Sequence, residues 1–235
     1  MNEKKNLQAT ESLYKEKLKK NPNDFEAIFN LGILFLQARR FDLAKSLLNK
    51  AVEIRPNHAG LHNNLGAVFE KLGQSQKAIS YFQKAININP NFADAYYNLG
   101  KVFYVLNQPQ KSISCFEKAI QIQPNNALAH NNLGVVLKEL GENKKAISCY
   151  EKAIQIDPNY VDAYNNLGTI LGELNRIDEA RKNFEKSLNL DRNKKKTYED
   201  YGNILLKLNQ HFKALNYIKK GTGFIRFTQK DCKIV

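Results

Sequence analysis

The sequence predicts an all-α solenoid built from six helix-turn-helix units, and three observations carry that prediction. Six glycines, Gly32, Gly66, Gly100, Gly134, Gly168 and Gly202, follow one another at steps of 34 residues. Four prolines, Pro56, Pro90, Pro124 and Pro158, keep the same step, and Pro22 falls one step earlier. Between these markers each unit holds two apolar stripes at helical spacing, and neither can be buried within a single helix pair. A fixed period of this length marks a repeat architecture, in which stacked units share one elongated core.

Composition sets the outer bounds. The chain has 235 residues, 43% of them hydrophobic, so a sizeable core can be buried. The formal net charge is +13, and the stretch from Arg192 onward supplies +8 of it, with eleven Lys or Arg against three Asp or Glu. A basic end attracts nucleic acid, acidic proteins or anionic lipid. The alternation of aromatic and basic residues that nucleic-acid modules use is missing, so a solvated Lys-rich surface is expected and nucleic acid is not an expected partner. Cys115, Cys149 and Cys232 form an odd set without metal-ligand spacing. That disfavours a disulfide framework and points to a reducing compartment. Residues 1–20 are charged and lack the apolar core of a secretory signal. No stretch reaches the ~18 apolar residues that a membrane span needs. A cytoplasmic protein without membrane contact is the expectation.

The elements follow in order. Residues 1–24 read as a lone second helix, with Leu7, Thr10, Tyr14 and Leu18 on one side and Pro22 closing it; terminal units of a solenoid need such a cap. The solenoid covers 25–220, in repeats 25–58, 59–92, 93–126, 127–160 and 161–194 and a degenerate 195–228. In the fourth, a first helix is expected from about Leu128 to Leu140. Gly141 then supplies the left-handed turn. A second helix runs from about Lys144 to Ile156, and Asp157-Pro158 stops it. Counting each unit from 1 to 34, core positions of the first helix here are Ala129, Leu133, Val136, Leu137 and Leu140. Those of the second are Ala146, Ile147, Tyr150, Ala153 and Ile154. Large residues Leu48, Phe82, Phe116, Tyr150, Phe184 and Ile218 recur where they can fill the gap left by the periodic glycines. Gly221 should stop the last helix early, leaving 221–235 as a tail with apolar Phe224, Ile225, Phe227, Ile234 and Val235.

These residues resemble the tetratricopeptide repeat, whose pattern sets a Leu-Gly pair, an aromatic, Ala, Phe, Ala and Pro at fixed offsets. The pair is Leu31-Gly32, Leu65-Gly66, Leu99-Gly100, Leu133-Gly134, Leu167-Gly168 and, altered, Tyr201-Gly202. The aromatic before it is Tyr96, Tyr164 and Tyr198 in three repeats, but His62, His130 and Ile28 in the others. The resemblance spans residues 25 to about 220 and implies an all-α, right-handed superhelix that binds proteins or peptides and does no chemistry.

Rotation about the first helix leaves positions 2, 5, 6, 9, 12 and 13 opposite the core, and in this family that face lines the concave groove. Position 6 is Asn30, Asn64, Asn98, Asn132, Asn166 and Asp200. Position 5 adds Asn63, Tyr97, Asn131 and Asn165, with Phe29 and Glu199 at the two ends. Lys101 and Tyr104 complete the candidate peptide-binding set. An amide both donates and accepts, so a regular row can hold the backbone of an extended peptide. The row is similar to the asparagine ladder in the repeat region of O-linked N-acetylglucosamine transferases; equally, Asn at this position belongs to the family consensus and can serve a neighbouring helix end.

Other signals are weak. His58 and His62 are four apart but have no third ligand nearby in sequence. Lys50, Lys84, Lys118, Lys152, Lys186 and Lys220 recur at one outer position and suit solubility. No nucleophile elbow, phosphate loop or dinucleotide fingerprint occurs, and no cofactor is expected. The expected function is a non-catalytic scaffold for a protein or extended peptide. The alternative is a substrate-recruiting arm for a separate modifying enzyme of glycosyltransferase, methyltransferase or hydroxylase type. Self-association through the last repeat and tail is a third route to partners.

Overall fold

The computed structural model describes residues 2–223. They form α1 (Asn2–Lys20), α2 (Phe25–Gln37), α3 (Phe41–Ile54), α4 (Ala59–Lys71), α5 (Ser75–Ile88), α6 (Ala93–Val105) and α7 (Pro109–Ile122). The chain continues through α8 (Ala127–Glu139), α9 (Asn143–Ile156), α10 (Val161–Glu173), α11 (Ile177–Leu190), α12 (Lys195–Lys207) and α13 (His211–Thr222). The fold is all-α among the described residues, as the period predicts. It divides into two compact units, residues 1–124 and 125–235.

Each hairpin turns at one residue. Position 15 of all six repeats is left-handed: Arg39, Gly73, Asn107, Gly141, Asn175 and Asn209, with φ between 54° and 76°. Gly carries this conformation without a Cβ penalty, Asn tolerates it, and Arg39 does neither. A single residue separates the second helices α3, α5, α7 and α9 from a proline, which disfavours helical geometry at that residue; Asp157, with φ −126° and ψ 96°, is extended.

Within each hairpin a glycine of the first helix faces a large side chain of the second. A Cβ on Gly66 would lie 2.6 Å from two ring carbons of Phe82, and one on Gly134 would lie 2.7 Å from Tyr150 Cε1. Leu48, Phe116, Phe184 and Ile218 stand against their glycines in the same way. Phe82 and Phe184 are fully buried. The two helices can approach this closely only because one lacks a side chain.

In the first unit, α1 lays Tyr14 and Leu18 against the core, as a cap should. Arg40 reaches back to Glu11 at 2.9 Å, and Lys50 Nζ donates to the Pro22 carbonyl at 2.6 Å. In the second unit, the last repeat is regular through Thr222. Gly221 does not stop its helix; it sits buried inside α13, where a Cβ would meet Glu199 Cγ at 2.6 Å and the Lys195 carbonyl at 2.9 Å. Close packing, not chain reversal, accounts for that glycine, and the left-handed cap is Gly223, φ 82°. The apolar tail residues from Phe224 onward, and Cys232, lie outside the described residues.

Candidate functional site

The first helices lie side by side: α2, α4 and α6 in one unit, α8, α10 and α12 in the other. Capping fixes where several of them begin. Asp24 accepts from Ala27 N–H at 3.0 Å, Asn126 from Ala129 N–H at 3.0 Å, and His58 Nδ1 from Leu61 N–H at 3.2 Å. His58 is thus a helix cap. His62 is buried, with Nε2 2.7 Å from the Pro56 carbonyl. Among the described residues, no group of three His, Cys, Asp or Glu could hold a metal ion.

The candidate residues separate by depth. Asn30, Asn64, Asn98, Asn132 and Asn166 are half-buried, as are Tyr97, Lys101 and Tyr104. Asn63, Asn131 and Asn165 are not on an open face; they are 9%, 4% and 2% exposed. Rotation about an isolated helix misplaces them, because the first helix of the following repeat closes over position 5. The contact is an amide pair. Asn98 Nδ2 donates to Asn63 Oδ1 at 3.1 Å, and Asn166 Nδ2 donates to Asn131 Oδ1 at 2.9 Å. At the last junction the direction reverses: a carboxylate only accepts, so Asn165 Nδ2 donates to Asp200 Oδ2 at 2.8 Å. A buried amide left unpaired costs about 1–3 kcal/mol, which explains why mediocre helix formers stand mid-helix here. The sequence does carry a signal for this pairing, the doublets Asn63-Asn64, Asn131-Asn132 and Asn165-Asn166.

Charges on this face pair off between neighbouring repeats. Lys101 Nζ is 3.2 Å from Glu70 and 5.6 Å above the Tyr97 ring. Lys138 meets Glu173 at 2.9 Å, and within one repeat Lys194, the residue capping α12, meets Asp162 at 2.6 Å. Tyr97 also leans on Phe116, ring centres 5.9 Å apart. On the second helices, the recurrent lysines serve their own surroundings. Lys118 and Lys152 donate to Gln121 and Gln155, and Lys84 covers the Tyr81 ring at 5.2 Å.

A separate cleft of about 490 Å³ opens between α11, α12 and α13, lined by Ile177, Arg181, Tyr201, Leu205, Lys213 and Tyr217 among others. None of the candidate residues lines it. Burial pushes the Tyr201 phenol up to about 12 and raises Tyr217 as well. In the first unit burial pushes the Cys115 thiol up to about 11, so this free cysteine is not a reactive nucleophile at neutral pH.

Stacked helical hairpins of 34 residues, with glycine opposite a large side chain and amide links between first helices, define a helical-repeat protein. Sequence models described as tetratricopeptide repeat match residues 24–91 and 125–193, and a second such model matches 93–126. The chain belongs to the tetratricopeptide-repeat family. No curated relative matches the chain. Among solved structures it is similar to MamA, with 30% identity, 69% of this chain and 95% of that one covered, and a TM-score of 0.62. It shares its fold with the APC/C hetero-tetramer Cut9-Hcn1, at 16% identity and a TM-score of 0.81, over 92% of this chain and 43% of that one. It also shares its fold with YrrB, a TPR protein with an unusual peptide-binding site, at 21% identity and a TM-score of 0.60, over 78% and 95%. Among the described residues no helix is long and apolar enough to cross a membrane.

Proposed function

We propose that the chain is a non-catalytic binding scaffold and that the first-helix face of its repeats receives a partner protein in extended form. The observation that carries this reading is the order imposed on that face. Amide pairs and interrepeat ion pairs hold its polar side chains in fixed positions, while aromatic and aliphatic surface stays partly open beside them, Val105 being 76% exposed. A preordered surface of this kind loses little entropy on binding. The membership in a family of interaction modules supports the reading, as does the structural likeness to a repeat protein with a peptide-binding site. The amides that the face presents resemble an asparagine ladder, but those of Asn98 and Asn166 are already committed through Nδ2, so each has less to offer a ligand than the sequence row implies.

The test is affinity capture from cell extract with the intact chain, the double variant Lys71→Glu/Val105→Asp, and the control Phe212→Asp on a second helix. All altered side chains are exposed, so the fold should persist. Loss of captured proteins with the double variant alone supports the reading. Loss with Phe212→Asp alone moves the interaction to the second helices.

A further inference from the structure

The junction between the fifth and sixth repeats is composed unlike the others. Position 21 of one repeat and position 11 of the next are Lys45 and Phe69, Ile79 and Phe103, Ile113 and Leu137, and Ile147 and Leu171, so each pair includes an isoleucine or a phenylalanine. The last pair, Arg181 and Leu205, includes neither. Arg181 turns outward instead, its side chain 53% exposed and 3.3 Å from Asp178. Both Arg181 and Leu205 line the cleft of about 490 Å³ between α11, α12 and α13. Ligand pockets span about 300–1,000 Å³, and this space falls among them.

Ile177, Ile204, Leu205 and Leu208 give the cleft an apolar wall. Its polar groups lack partners. Tyr201 is 7% exposed, yet its hydroxyl has no hydrogen-bond partner among the described residues, and neither has that of Tyr217, whose ring centre lies 4.7 Å from its own. A buried phenol ordinarily finds one. Glu185 on α11 and Lys213 on α13 line the same cleft, and neither has an ion-pair partner among the described residues. Burial is the main cause that raises both phenols, and the Glu185 carboxylate adds to it in each, so these three groups share one neighbourhood.

A primary ammonium carries three donors, and Glu185, Tyr201 and Tyr217 supply three acceptors. An ammonium entering beside them exchanges its hydration for a carboxylate and two phenols, whereas an anion there would be repelled by Glu185. Lys213, on the α13 side, is left to receive an anion. The aliphatic wall is suited to cover an apolar arm.

We infer that this cleft is a binding site for a small zwitterion with an apolar arm, of the class of a free aliphatic or aromatic α-amino acid. Glu185 with the Tyr201 and Tyr217 hydroxyls holds the ammonium, Lys213 the carboxylate, and Ile204, Leu205 and Leu208 the side chain. The site is separate from the first-helix face and does not depend on it.

The test is isothermal titration calorimetry of the full-length chain with L-valine, L-leucine, L-isoleucine, L-methionine and L-phenylalanine. Each is run beside its amide, which lacks the carboxylate, and its deaminated acid, which lacks the ammonium. Leu205→Phe and Arg181→Ile narrow the cleft with residues that other repeats carry at the same positions, so the fold should persist. Glu185→Gln and Lys213→Gln each remove one charge, and Tyr201→Phe keeps the ring without its hydroxyl; helical melts establish that all five variants remain folded. The expected result is saturable binding of at least one amino acid. Loss of either ligand charge, or Leu205→Phe, Glu185→Gln or Lys213→Gln, should weaken it roughly tenfold or more, and Tyr201→Phe should weaken it less. Absence of saturable binding by all five amino acids would overturn the site, as would binding unchanged in both Leu205→Phe and Arg181→Ile. Binding lost in those two variants, yet kept by the amide or the deaminated acid and by Glu185→Gln and Lys213→Gln, would overturn the assigned chemistry.

Discussion

Replacing Gly66 by alanine isolates the packing that defines each hairpin. Two effects oppose. Alanine in a helix interior is favoured over glycine by about 0.5–1 kcal/mol. Against that, the new Cβ would stand 2.6 Å from Cδ1, 2.6 Å from Cε1 and 2.9 Å from Cζ of Phe82. Phe82 is fully buried, so its ring cannot swing aside into solvent. Overpacking of this kind costs about 1–3 kcal/mol. A net loss of about 1–2 kcal/mol is expected. Gly168 supplies an internal comparison, because its Cβ would meet Phe184 no closer than 3.0 Å. Gly168→Ala should therefore be milder, near neutral to about 1 kcal/mol destabilising. Urea denaturation followed by circular dichroism measures both, read as shifts of midpoint at unchanged slope. Phe82→Leu completes a double-mutant cycle and should recover part of the Gly66→Ala loss. A stabilised Gly66→Ala, or equal effects at the two glycines, would refute the claim that glycine is there to admit the ring.

Two further outcomes are expected. Arg39 holds φ 59° at a position where other repeats use Gly or Asn, so Arg39→Asn should raise the urea midpoint, by up to about 1 kcal/mol of stability; a lowered midpoint would mean that the arginine side chain outweighs its backbone strain. Burial raises the Cys115 thiol from 9.0 to about 11 and the Tyr201 phenol from 10.0 to about 12. The folded state holds both protons more tightly than the unfolded chain, so stability is complete below about pH 9 and declines as pH rises through these folded values. Comparing urea midpoints at pH 8 and pH 10.5, Cys115→Ala/Tyr201→Phe should flatten the alkaline decline, and an unchanged decline would contradict the assignment.

Period, helix pairing, the left-handed turn at Gly141 and the match of glycine to large residue were all legible in the sequence, since each follows from local chemistry repeated at one spacing. Two features were not. Position 5 looked open because rotation about one helix cannot see the next repeat, and only the stacked first helices turn Asn63 and Asn131 into buried acceptors. Gly221 looked like a stop signal because glycine has two uses, a left-handed turn and a close approach. The structure assigns it the second, against Glu199 and the Lys195 carbonyl, and leaves the turn to Gly223.

The most direct test of the binding face is photo-crosslinking in living cells. The photoreactive residue p-benzoylphenylalanine is placed at Val105 on a first helix or at Phe212 on a second helix, positions 76% and 83% exposed. The proposed scaffold predicts discrete partner adducts from Val105 and none from Phe212. Adducts from Phe212 with none from Val105 would contradict it and place recognition on the second helices.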